Sequence, residues 1–193
     1  MNPRHRGKDN QVRIIGGTHR SRIIRFPDQD GLRPTSDRIK ETLFNWIQND
    51  VSNAACLDLF AGSGSLGIEA LSRGAKSVHF VESAAEAAKS INENLADLGL
   101  EKAVVSRSSV EAWLKDSAAQ SLFDLVFIDP PYADQKLETI CEMVTTAQCI
   151  RSGGKVYLEN NAELSPESFP ESWRLLRQKK AGQVSFYLFE TTS

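Results

Sequence analysis

The chain has 193 residues, a net charge of −2, 40% apolar residues and 25% charged residues, enough for one well-cored domain with an appendage. No apolar run approaches the ~20 residues that span a bilayer and the N-terminus has no apolar signal core, so a cytoplasmic protein is expected rather than a membrane or exported one. Cys56, Cys141 and Cys149 are odd in number and lack the close pairing of metal ligands; they read as reduced thiols, with Cys56 in the core, and no metal site is expected.

The modest net charge conceals a split. Residues 1–25 hold seven cations (Arg4, Arg6, Lys8, Arg13, Arg20, Arg22 and Arg25) against Asp9 alone, so the remainder is acidic and the N-terminus suits a polyanion. Residues 1–11 lack periodicity. Val12 to Ile15 and Ser21 to Phe26 are β-branched runs either side of Gly16-Gly17, which predicts a hairpin about that glycine turn. Its cations, with His19, suit phosphate contacts; a charge-protected edge strand is the plainer alternative.

Pro27 to Pro34 is turn-rich. Thr35 or Ser36 then caps a helix with Asp37 in its first turn, and Ile39, Leu43, Trp46 and Ile47 form one apolar face. Ala55 to Phe60 is the first core strand. It runs into Gly62-Ser63-Gly64-Ser65-Leu66-Gly67 and a helix, the strand–glycine loop–helix frame of a nucleotide-type site. The next strand, Ser77 to Val81, ends at Glu82, placed to accept from ribose hydroxyls. Ala84 to Leu98 is a helix stopped by Gly99; Ala103 to Val105 is a third strand and Val110, Trp113 and Leu114 mark a short helix.

The apolar run Leu122 to Phe127 is a buried parallel strand, ended at once by Asp129-Pro130-Pro131-Tyr132, because neither proline donates to a ladder. A stiff corner thus presents a carboxylate, carbonyls and an aromatic ring at a strand's carboxyl end, where open α/β sheets bind ligands. Asp129 and the Pro130 carbonyl are fixed acceptors for the hydrogens of an exocyclic base amine, drawing its nitrogen towards tetrahedral geometry, and Tyr132 suits stacking on the base. Residues 135–149 predict an amphipathic helix. Gly153-Gly154 is expected to turn the chain into strand Lys155 to Leu158, and Trp173 to Lys180 with Val184 to Glu190 form a closing hairpin. The fold class is therefore α/β, a mostly parallel seven-stranded sheet with helices on both faces, as residues 35–193, preceded by a basic extension as residues 1–34.

Asp58 just ahead of the glycine loop suits a cationic amine better than a dinucleotide. Asp58-Leu59-Phe60-Ala61-Gly62-Ser63-Gly64 with Asp129-Pro130-Pro131-Tyr132 resembles class I S-adenosylmethionine-dependent amino-methyltransferases. Arg13-Ile14-Ile15-Gly16-Gly17, Arg33-Pro34-Thr35-Ser36-Asp37-Arg38, Glu41-Thr42-Leu43-Phe44 and Ala181-Gly182-Gln183-Val184 narrow the resemblance to the RsmD family, over essentially the whole chain. That resemblance implies methylation of guanine N2 in 16S ribosomal RNA, free or in a partly assembled small subunit, by a monomer. It also implies that Asp58, Gly62 and Gly64 hold the cofactor's methionine part and Glu82 its ribose, with Phe60 and Ala61 also binding the cofactor. Ser109 or the Val110 backbone would flank adenine, where many relatives have Asp or Asn, and Thr35 would lie over the cofactor. Asp129, Pro130, Pro131 and Tyr132 would form the catalytic corner, and Arg13, Arg20, Arg22, Arg25, Arg33 and Arg38 would meet RNA. An adenine or cytosine amino-methyltransferase acting on DNA, a nicotinamide-dependent dehydrogenase and a catalytically silent RNA-binding protein are the alternatives.

Overall fold

A computed structural model describes residues 10–28, 35–116, 122–131, 137–165 and 168–192. A two-stranded ribbon, β1 (Asn10–Arg13) and β2 (Ile23–Phe26), leads to α1 (Asp37–Trp46). There follow β3 (Ala55–Asp58), α2 (Ser65–Ser72), β4 (Ser77–Glu82), α3 (Ala85–Leu98), β5 (Ala103–Arg107), α4 (Val110–Asp116), β6 (Phe123–Ile128) and α5 (Leu137–Thr146). Three strands close the chain: β7 (Ile150–Asn160), β8 (Trp173–Ala181) and β9 (Val184–Thr191). The main sheet runs β5-β4-β3-β6-β7-β9-β8. Its first five strands are parallel neighbours, and β9 is antiparallel to both β7 and β8.

Strand alternation sorts the core onto two faces. Cys56, Val78, Phe80, Phe127, Tyr157 and Phe186 meet α1, α2 and α3 on one side. Leu57, Val81, Val126, Ile128, Val156 and Leu158 meet α4 and α5 on the other. Both faces are covered, as a parallel sheet requires. Cys56, Cys141 and Cys149 are free and buried, and burial raises each thiol, which makes them inert packing groups. No helix among the described residues is long and apolar enough to cross a membrane.

Two expectations need correction. The expected hairpin forms, but its connection is longer than a Gly16-Gly17 turn: residues 14–22 join the strands, and the glycines lie against the end of α2. Ser72 donates its hydroxyl to the Gly16 carbonyl at 2.6 Å and Thr18 N donates to the Ser72 carbonyl at 2.8 Å. A Cβ at Gly17 (φ +75°) would overlap that carbonyl, and one at Gly16 the Arg73 guanidinium. Close approach of two backbones explains Gly17, and packing against the Arg73 side chain explains Gly16. Nor do Gly153-Gly154 end a loop. They lie within β7, whose pairing with β6 shifts register between Phe123 and Leu125, so they form a bulge rather than a turn.

The ribbon is also built into the core. Val12, Ile14, Ile24 and Phe26 belong to the α1–α3 side. Buried Glu69 accepts from Ile15 N at 2.8 Å, Asn94 accepts from Arg25 N at 3.0 Å, and buried Lys40 donates to the Arg13 carbonyl at 2.7 Å.

Candidate functional site

Parallel register places four acids along the carboxyl edge of four adjacent strands. Asp58 ends β3 and Glu82 ends β4; Asp129 follows β6, whose Ile128 pairs with Leu158, so it stands beside Glu159 near the end of β7. The alternation that sends Phe127 and Tyr157 towards α1 turns Asp129 and Glu159 the same way. α1 starts above them: Ser36 caps it, which leaves Thr35 beneath the cap, and Thr35 donates its hydroxyl to Asp129 Oδ2 at 3.1 Å.

Each acid is held differently. Asp58 is buried and accepts from Gly67 N at 3.0 Å, tying the first turn of α2 to β3. Gly67 must lack a side chain because a Cβ there would overlap the Phe80 ring. Gly62 and Gly64 have φ of +52° and +76°, the left-handed backbone that glycine adopts without strain. Glu82 accepts from Gly62 N and Ala84 N, each at 2.7 Å. It therefore shapes the glycine loop while each oxygen keeps a lone pair for another donor. Ala61 is buried and Phe60 half-buried beside them.

The acids are crowded, and among the described residues none of Asp58, Asp129 or Glu159 has a Lys or Arg within 4.0 Å. Burial, then the charges of Asp129 and Glu82, push Asp58 up to about 7 against the relief its Gly67 bond supplies. Burial pushes Asp129 up to about 6, with the Thr35 hydroxyl acting in the opposite direction. Glu159 is raised well above the carboxylate range by burial and by Asp129, although the hydroxyls of Tyr157 (2.9 Å) and Thr35 hydrogen-bond to it. Among the described residues the edge is thus an anionic cleft without cationic partners, suited to a cationic ligand and to donor groups.

The structure gathers Asp58, Gly62, Gly64, Glu82, Thr35, Asp129 and Pro130 on this one edge. Pro130 is buried and Pro131 exposed. Ser109 is exposed and accepts from Ala112 N at 3.2 Å, capping α4, while the Val110 side chain is buried away in the α4–α5 core. Arg13, Arg20, Arg22, Arg25 and Arg38 are exposed. Tyr132 and Arg33 lie outside the described residues. Sequence reasoning missed Glu159 and Tyr157, because a lone Glu at a strand end carries no motif and only the sheet order brings it to Asp129.

Comparison with known proteins follows the same lines. A family model described as conserved hypothetical protein 95 matches residues 12–190. Ribosomal RNA small subunit methyltransferase D of Escherichia coli (strain K12) is 38% identical over 188 residues, 97% of this chain and 93% of its own. The protein of that name from Haemophilus influenzae is 41% identical, covering 93% and 94%. The chain belongs to the RsmD family. A solved structure described as a putative methyltransferase from Escherichia coli superimposes with a TM-score of 0.84 at 37% identity, covering 95% of this chain and 99% of that one. The seven-stranded fold is shared with methyltransferases that use S-adenosylmethionine. The acids fit that cofactor for a physical reason: its sulfonium and amine are cations, and among the described residues Asp58, Asp129 and Glu159 have no Lys or Arg within 4.0 Å.

Proposed function

We propose that this chain transfers a methyl group from S-adenosylmethionine to the exocyclic N2 of a guanine in small-subunit ribosomal RNA, acting as a monomer. The observation that carries this reading is the Asp129–Pro130 corner: a half-buried carboxylate and a fixed carbonyl, neighbours at one strand end, with a hydroxyl behind the carboxylate. The names of the relatives point to ribosomal RNA, and guanine N2 is an amine the corner fits.

The cofactor supplies an electrophilic methyl on a sulfonium, so no covalent enzyme intermediate is needed. Asp58 takes its amine, Glu82 its ribose hydroxyls, and Gly62 and Gly64 give the backbone room beside it. The target base leaves its stack to reach the corner, a cost of a few kcal/mol that RNA contacts offset. Asp129 Oδ1 and the Pro130 carbonyl accept the two amine hydrogens, which localises the nitrogen lone pair towards the methyl, and Tyr132 stacks on the base. On transfer the methyl's bond to sulfur would break as the N–C bond forms, leaving a neutral thioether, and Asp129, ionised at neutral pH, would take the proton of the resulting ammonium. Glu159 beside it is raised by burial and by the Asp129 charge, so ionising both carboxyls at once is disfavoured. Residues 1–34 serve RNA binding, with Arg13, Arg20, Arg22, Arg25, Arg33 and Arg38 on phosphates, and residues 35–193 serve transfer.

The test is to incubate purified protein with labelled S-adenosylmethionine and unmodified small-subunit RNA, then digest to nucleosides. Label in N2-methylguanosine is expected. Label in an adenine or cytosine overturns the guanine assignment, and no transfer to RNA overturns the whole reading.

A further inference from the structure

We infer that the outer strand β8 is a second phosphate-binding strip, in which Arg177 and Lys179 face the side of the sheet that carries the β1–β2 ribbon and Lys180 stands beside them at the carboxyl edge. The inference rests on the RNA reading above and deepens it. β8 is the last strand of the sheet, and Arg174, Arg177, Lys179 and Lys180 stand on it without an acid. Register sets where these charges point. Lys179 pairs with Phe186 and Phe186 with Glu159; Lys180 pairs with Ser185 and Ser185 with Asn160. The lysines are therefore level with the carboxyl edge, and Lys179 projects on the α1 side, where Asp129 and Glu159 lie. Arg177, opposite Leu188 of the α1–α3 core, shares that side. At roughly 4.8 Å between strands, β8 stands about 14 Å from β6.

Charge pairing separates these residues from the rest of the strand. Arg174 is bound by Glu190, and Gln178 reaches Glu163. All three proposed cations are exposed, and among the described residues neither Lys179 nor Lys180 has a carboxylate within 4.0 Å. The ribbon packs on the same side of the sheet, tied to α2 and α3 through Glu69, Ser72 and Asn94. The acids of the carboxyl edge, three of which have no Lys or Arg within 4.0 Å among the described residues, repel phosphate. An RNA backbone can therefore rest on cations outside the cleft while only a neutral base, rich in N–H donors, enters it.

Cations on an edge strand also block strand addition, and charge reversal separates that duty from RNA binding because a Glu edge blocks addition equally well. The experiment compares Lys179→Glu/Lys180→Glu with Lys76→Glu/Lys102→Glu, an equal charge change on exposed residues at the opposite, amino edge. Small-subunit RNA binding is measured by anisotropy across a salt series, cofactor binding by calorimetry, and methyl transfer as a function of RNA concentration. For the β8 pair, RNA affinity should fall by about tenfold or more and the salt slope by between about one and two. RNA KM should rise while cofactor affinity holds, with little change in the control pair. Equal effects in the two pairs, or unchanged RNA affinity in the β8 pair, overturn the strip. Failure of the parent protein to bind or methylate the RNA overturns the functional reading instead.

Discussion

The two edges of the central sheet use the same residue types to opposite ends. At the amino edge, Asp50, Asp124, Arg151 and Lys155 line a polar cleft of about 360 Å³, and each charge there has a partner. Asp124 accepts from Arg151 at 3.0 Å and from Ala55 N at 2.8 Å; Lys155 reaches Glu190 at 2.8 Å and Asp50 at 3.9 Å. Hydrogen bonds from Lys155 and Arg174 hold the Glu190 carboxyl down at about 2. At the carboxyl edge, Asp58, Asp129 and Glu159 are buried or half-buried together with no cation within 4.0 Å among the described residues, and all three are raised. A compensated edge holds the fold together. An uncompensated one costs stability and is kept where a ligand supplies the missing charge.

That contrast can be broken experimentally. The largest expected effect is at Asp129: Asp129→Asn keeps the shape but removes the charge, and methyl transfer should fall by about 10³-fold in single-turnover assays. Cofactor affinity by calorimetry should hold; a transfer rate near the parent's would refute the corner's role. Thr35→Val removes the hydroxyl behind Asp129 and should lower kcat by about tenfold, the worth of one hydrogen bond to a charged group. Because that hydroxyl lowers the Asp129 value of about 6, its loss should also move the acidic limb of the kcat–pH profile to higher pH. An unmoved limb would mean that Asp129 does not govern it.

The two edges should also respond oppositely to pH. Asp58 rises from 3.8 to about 7 and Asp129 from 3.8 to about 6 on folding. Their stabilising contribution is complete below about pH 4 and is lost as pH rises towards 7. Glu190 falls from 4.5 to about 2, so its contribution is present above 4.5 and lost on acidification. Without cofactor, the melting temperature of Asp58→Asn should therefore depend less on pH between 4 and 7 than the parent's; identical slopes would disprove the strained carboxylate. The smallest effect is expected at the other edge. Lys155→Met should cost about 1 kcal/mol in denaturant titration and leave methyl transfer unchanged.

The strand–glycine loop–helix unit and the Asp-Pro-Pro corner were legible because their chemistry is local: glycines where backbone must approach a ligand, prolines where a strand must stop. The ribbon was legible as basic but not as a core element. Its alternation of Val12 and Ile14 with exposed Arg13 held that signal, which the cluster of cations obscured. Gly16-Gly17 looked like a hairpin turn because two glycines license a turn and a close approach equally well.

By itself, the order of residues determined the class of fold, the place of the glycine loop and the Asp129-Pro130 corner at the end of β6, since each depends on neighbours a few positions apart. Only the tertiary structure decided that Glu159, thirty positions beyond Asp129, stands beside it, that Thr35 reaches back to that carboxylate, and that Lys179 is level with both. Those relations depend on strand order and register, which arise from burying two apolar faces at once and leave no local mark on the chain.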